Sequence, residues 1–128
     1  MARSAILHVM VQAALKAGKS LSRDFGEVQN LQVSLKGPGD YVSQADRKAE
    51  EIVKAELMRA RPDYGFLGEE GGATEGADGQ HRWIVDPLDG TTNFLHGFPH
   101  FGVSIALKYK DRLEQAVVFD PSRSELFT

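Results

Sequence analysis

The sequence predicts an α+β fold in which two N-terminal helices pack on a largely antiparallel sheet. Three observations predict it. Apolar residues recur at helical spacing from residue 4 to about Phe25, and again from Ser43 to about Arg61. Short apolar stretches bounded by Gly, Pro and Asp fill the remainder. Two of these, Phe101–Tyr109 and Leu113–Phe119, meet at Lys110-Asp111-Arg112, a hairpin connection.

The first helix carries Ile6, Met10, Ala13, Ala14, Ala17, Leu21 and Phe25 on one stripe. Gly18-Lys19-Ser20 invites a phosphate-loop reading, but Ala13 stands where the first glycine is needed and the context is helical. A solvated helix face is the expected role. His8 has no second ligand nearby and reads as structural. Leu31-Gln32-Val33-Ser34-Leu35 alternates like a short strand, and Lys36 to Asp40 reads as a loop.

Ser43 is placed to cap the second helix, with Asp46 three residues on in a capping-box-like arrangement. Ala45, Ala49, Ile52, Val53 and Leu57 form its apolar stripe, and Pro62 ends it. Tyr64 to Gly68 reads as a short buried strand delivering Glu69 and Glu70. Gly71 to Gln80 reads as a flexible loop.

Trp83-Ile84-Val85-Asp86-Pro87-Leu88-Asp89-Gly90-Thr91-Thr92-Asn93-Phe94 organises the chain. It reads as a buried strand, a tight turn and a helix start. Carboxylates hold hard cations, and a helix N-terminus attracts anions. Both features in one turn suggest a site for a metal-bound phosphate. The plain alternative is that Asp86 and Asp89 merely build the turn or cap the helix. His96 and His100 are four apart, but Gly97 and Pro99 interrupt any helix between them. After the hairpin, Asp120 to Ser124 makes another turn into Leu126-Phe127-Thr128, which reads as a strand in progress.

Composition narrows the function. One hundred and twenty-eight residues allow one domain, and 41% hydrophobic with 26% charged residues is ordinary for a globular protein. A net charge of −3 implies no general attraction to nucleic acid. The absence of cysteine excludes disulfides, thiolate nucleophiles and thiolate-held zinc. No apolar run reaches spanning length, so no membrane role is expected and the cytoplasm is the default location.

Asp86-Pro87-Leu88-Asp89-Gly90-Thr91-Thr92-Asn93-Phe94 resembles the signature of the inositol monophosphatase family. These are Mg²⁺-dependent, lithium-sensitive phosphomonoesterases. Gly68-Glu69-Glu70 is similar to the family's upstream acidic motif. Lys36, Asp40 and Asp46 resemble an earlier stretch, and Phe98 to Ala106 also fits. The wording is most similar to the bacterial extragenic-suppressor (SuhB-type) branch. The resemblance implies a layered α/β sandwich of the sugar-phosphatase type. It implies that residues 1–128 are the N-terminal part of such a domain, since family members are longer and carry a further Trp-Asp motif.

By that resemblance, Glu69, Asp86, Asp89 and the Leu88 carbonyl would hold Mg²⁺. Glu69, Leu88, Asp89, Gly90 and Thr91 would meet substrate, with Gly90 and Thr91 offering backbone N–H groups to the phosphate. The catalytic set would be Glu69, Thr91 and Asp46, with Asp46 orienting Thr91 and a metal-activated water as nucleophile. Lys36 would border the site. The implied reaction is hydrolysis of inositol monophosphate, or of a similar sugar or polyol phosphate, by a homodimer. The bacterial branch implies an alternative of another class, a transcription-associated binding protein that meets RNA polymerase or antitermination factors. A third reading is a metal-binding fragment without catalysis.

Overall fold

The computed structural model describes residues 4–30, 38–68, 73–89, 102–121 and 125–128 of the 128-residue chain. Helix α1 spans Ala5–Asn30 and α2 spans Pro38–Ala60. Six strands follow: β1 (Gly65–Leu67), β2 (Ala73–Thr74), β3 (His81–Asp89), β4 (Gly102–Tyr109), β5 (Arg112–Asp120) and β6 (Glu125–Phe127). They form one sheet in the order β2-β1-β3-β4-β5-β6. Among the described residues only β1 and β3 run parallel, with Phe66 beside Trp83 and Leu67 beside Ile84. The remaining pairs are antiparallel. The two helices on a largely antiparallel sheet are thus as the sequence predicts.

Helix α1 begins where Ser4 Oγ accepts the Leu7 N–H at 3.1 Å, a side-chain cap on an otherwise orphan donor. It continues past Phe25, beyond the expected end. Gly26 within it costs about 1 kcal/mol against alanine, too little to stop a helix already packed on a partner. Helix α2 begins earlier than the sequence suggests. Pro38 opens it, because its fixed φ suits a first turn and its missing N–H is not needed there. Ser43 therefore lies inside the helix and is not its cap, and the expected loop at Pro38–Asp40 is helical. The expected strand at Leu31–Leu35 lies outside the described residues.

Both helices pack on one face of the sheet. Met10, Val11, Ala13, Ala14, Ala17 and Leu21 of α1 meet Ala45, Ala49, Val53 and Leu57 of α2 over the sheet core. That core is Phe66, Trp83, Val85, Val103, Ile105, Leu107, Val117 and Phe119. Burying each large side chain contributes roughly 1.5–3 kcal/mol. Strand alternation sets the faces: Trp83 and Val85 are buried beneath the helices, while Ile84 and Asp86 take the other side.

Gly18-Lys19-Ser20 is mid-helix, as the rejection of a phosphate loop requires, but only Lys19 is solvated. Gly18 packs against the Phe119 ring, and Ser20 is buried. His8 is exposed on α1 and takes no part in the core. Of the expected loop at 71–80, residues 73–80 are described. Ala73–Thr74 pairs with β1, and Asp78 closes a turn by accepting the Gln80 and His81 N–H groups at 2.8 and 3.0 Å. The β4–β5 hairpin is a two-residue turn with Lys110 at φ 55°, tied down where its N–H donates to the Gln80 carbonyl at 2.8 Å.

Candidate functional site

Strand β3 does not end at Asp86, as the sequence reading expects, but remains paired through Asp89. The ladder is irregular there. Asp86 faces Ser104 and Asp89 faces Gly102, so β3 takes three steps where β4 takes two. Pro87 lacks an N–H and cannot complete a regular ladder, and one extra residue is absorbed as a bulge. A bulge bends its strand and re-aims the side chains beside it. Asp86 enters this bulge half-buried, on the sheet face away from the helices.

Strand β1 ends beside this point. Leu67 pairs with Ile84, two residues before Asp86, and the strands are parallel. The two sequence motifs are far apart in the chain, yet the end of β1 comes beside the stretch of β3 that leads into Asp86. A parallel pair forces this, since both strands point the same way.

The helix side of that region is acidic. Asp46 and Glu50 are one helical turn apart on α2, 7% and 6% exposed. Asp24 of α1 is also buried, 3.9 Å from the Lys48 Nζ. Glu50 reaches Gly68: a Cβ on that glycine would overlap the Glu50 carboxylate and come 2.9 Å from Phe66 Cε1. No larger residue fits there unless Glu50 moves.

The structure thus places two of the predicted acids, Asp46 and Asp86, on opposite faces of one sheet region. Leu88 and Asp89 are described only as backbone of β3. Glu69, Gly90, Thr91, Lys36, His96 and His100 lie outside the described residues, as does the expected helix start after Asp89. Among the described residues, no three His, Asp or Glu side chains converge on one point as a metal cluster. The oxygen chemistry of the set still suits Mg²⁺, a hard cation that needs few protein ligands and keeps several waters.

Glu50 and Asp24 were not singled out from the sequence. The available signal was spacing: Glu50 is four residues after Asp46 and adjacent to the apolar stripe of α2, where a carboxylate is costly. A cavity of about 740 Å³ lies elsewhere, between α1, Glu56, Arg59, Phe119 and Pro121. Glu56 there bonds Lys16 and Arg59 at 2.6 and 2.7 Å, and the Lys16 contact chiefly holds its carboxyl below the usual range.

Known proteins share this fold. Residues 2–128 match the profile of the Inositol monophosphatase family. The chain is 73% identical over 128 residues to the inositol-1-monophosphatase of Rhizobium meliloti, covering 100% of this chain and 48% of that protein. It is 42% identical over 123 residues to the Nus factor SuhB of Escherichia coli, covering 96% of this chain and 46% of that protein. Among solved structures, the extragenic suppressor protein suhB of Bartonella henselae superimposes with a TM-score of 0.86 at 65% identity, over 97% of this chain and 48% of that one. The inositol monophosphatase of Anabaena gives a TM-score of 0.77 at 35% identity, over 94% and 42%. The chain spans about half the length of the relatives it matches.

Proposed function

The chain belongs to the inositol monophosphatase family, and from that premise we propose that it supplies the N-terminal half of a Mg²⁺-dependent phosphomonoesterase. The substrate class is inositol monophosphate or a similar small polyol phosphate. One observation supports the reading: β1 runs parallel to β3, so its end at Leu67-Gly68, just before Glu69 in sequence, comes beside the stretch of β3 that leads into the Asp86-to-Asp89 bulge. The 73% identity to an inositol-1-monophosphatase supports it.

In this reading Glu69, Asp86, Asp89 and the Leu88 carbonyl hold the metal. Bound Mg²⁺ would offset the charge of the phosphate, acidify an attacking water and stabilise the leaving alkoxide. Gly90 and Thr91 present backbone N–H groups to the phosphate. Glu69 and Thr91 orient the attacking water and accept its proton, and Asp46 orients Thr91. The bulge matters because it lets two acids so close in sequence aim at one place. A homodimer in the cytoplasm is the expected form of the full-length protein. Phosphate release from inositol monophosphate by that protein tests the proposal. Activity that needs Mg²⁺ and is lost in Asp86→Asn is the supporting result.

The name Nus factor, borne by the Escherichia coli relative, supports a second reading. In it the protein binds RNA polymerase or antitermination factors through its surface, and hydrolysis is secondary. Asp86→Asn would then abolish hydrolysis and leave partner binding intact.

A further inference from the structure

We propose that Glu50 is a positioning residue, which seats the start of the Glu69–Glu70 segment from the helix side of the sheet. The inference rests on the phosphatase reading and names the residue that holds one of its acids in place.

Three observations lead to it. Glu50 is 6% exposed and sits one turn after Asp46 on the face of α2 that also carries buried Ala49 and Val53. Helix α2 lies over β3, the neighbour of β1. The Glu50 carboxyl group occupies the space a side chain at Gly68 would need, with its Cδ 2.6 Å from an ideal Cβ there. Gly68 is the residue before Glu69. The register explains the contact. Phe66 pairs with Trp83 on the helix side, so Gly68, two residues on, faces the same side and meets α2.

An apolar side chain of similar volume would fill the same space without the cost of removing a charge from water. A carboxylate against backbone offers hydrogen-bond acceptors that a hydrocarbon cannot, and a metal ligand works only if its own backbone is fixed. Glu50 and Gly68 form a matched pair: the glycine makes room for the acid, and the acid fixes where the chain leaves β1.

The test uses the full-length protein, with Mg²⁺ binding measured by calorimetry, phosphate release by steady-state kinetics and folding by thermal melts. Glu50→Leu keeps volume and removes the acceptors; Glu50→Gln keeps shape and one acceptor. Glu50→Leu is expected to bind Mg²⁺ about tenfold more weakly, within the range seen when groups supporting metal ligands are altered, and Glu50→Gln to stay within about twofold of wild type. The loss should appear in kcat, with KM for substrate retained. Wild-type Mg²⁺ affinity in Glu50→Leu overturns the proposal, and so does a loss that merely tracks a lower melting temperature in both variants. Glu69→Gln separates the two levels. If it leaves Mg²⁺ binding unchanged, the phosphatase reading itself fails; if it weakens binding while Glu50→Leu does not, only the role of Glu50 fails.

Discussion

Asp89 lies opposite Gly102, although a regular ladder continued from Asp86 and Ser104 would put Leu88 there. One extra residue in β3, next to a proline that cannot donate, displaces the register at the point where two family-signature acids meet the sheet. The displacement matters because residues three apart on a regular strand point to opposite faces. A bulge breaks that strict alternation, which is what the proposed site, with Asp86 and Asp89 as joint ligands, requires.

Asp86→Asn tests this site directly. The side chain is half-buried on the face away from the core, so its replacement leaves the helix–sheet packing intact. In the proposed reading the variant loses one anionic metal ligand and with it several kcal/mol of charge stabilisation, so phosphate release by the full-length protein should fall roughly 10²-fold or more. Thermal melts of the variant check that its fold is kept. Undiminished phosphate release would exclude Asp86 as a ligand.

Gly18→Ala should destabilise, against the usual trend. Alanine in a helix interior is ordinarily better than glycine by about 1 kcal/mol. Here the new methyl would overlap the Phe119 ring, lying 2.7 Å from its Cδ2 and 3.3 Å from Pro121 Cβ. Overpacking of this kind costs about 1–3 kcal/mol, so the net change should be negative. Urea unfolding measures it, and a variant more stable than wild type would show that α1 can shift away from β5.

The fold was legible where side chains alternate or recur simply. The stripes of α1 and α2, the β4–β5 hairpin and the buried core of β3 follow from spacing alone. Helix ends were less legible. Ser43 looked like a cap because serine usually is one, but Pro38 can open a helix sooner by its fixed φ. The Gly-rich stretch after Glu70 looked like a plain loop because its strand is only two residues long and is held by pairing with β1. Asp86 and Asp46 were legible through the family resemblance. Glu50 was not, because its importance depends on Gly68, which packing brings close and sequence distance hides.

Trp83→Ala should be the costliest single change in the sheet. The ring is fully buried between the helices and Phe66, with Tyr64 5.5 Å away between ring centres. Removing it leaves a cavity that the surrounding strands cannot close, at about 3–5 kcal/mol. Trp83 is three residues from Asp86 on the same strand, so phosphate release should fall with stability. A variant that keeps wild-type stability would mean that the helices re-pack onto the sheet.

Acid should loosen the turn before β3 through Asp78. Its carboxyl is lowered to about 2, first by the Gln80 N–H, then by the His81 N–H and by the His81 ring at 2.6 Å. A folded value below the unfolded one means that folding favours the carboxylate. The stabilisation is then fully present above the ordinary carboxylate value and is lost as pH falls from about 4 towards 2. Asp78→Ala removes the acceptor at every pH. The gap in melting temperature between wild type and variant should therefore be constant above about pH 5 and should shrink as acid is added. His81 stacks on Tyr64 at 4.1 Å and packs against Tyr109 at 4.6 Å, so the turn is tied to the parallel β1–β3 pair through its rings as well as its hydrogen bonds. That ring packing remains after protonation, and the acid-induced loss should stay local. Amide exchange should rise at Gln80 and His81 at low pH while Trp83 and Val85 remain protected; simultaneous exchange of all four would show that the turn and the sheet core open as one unit.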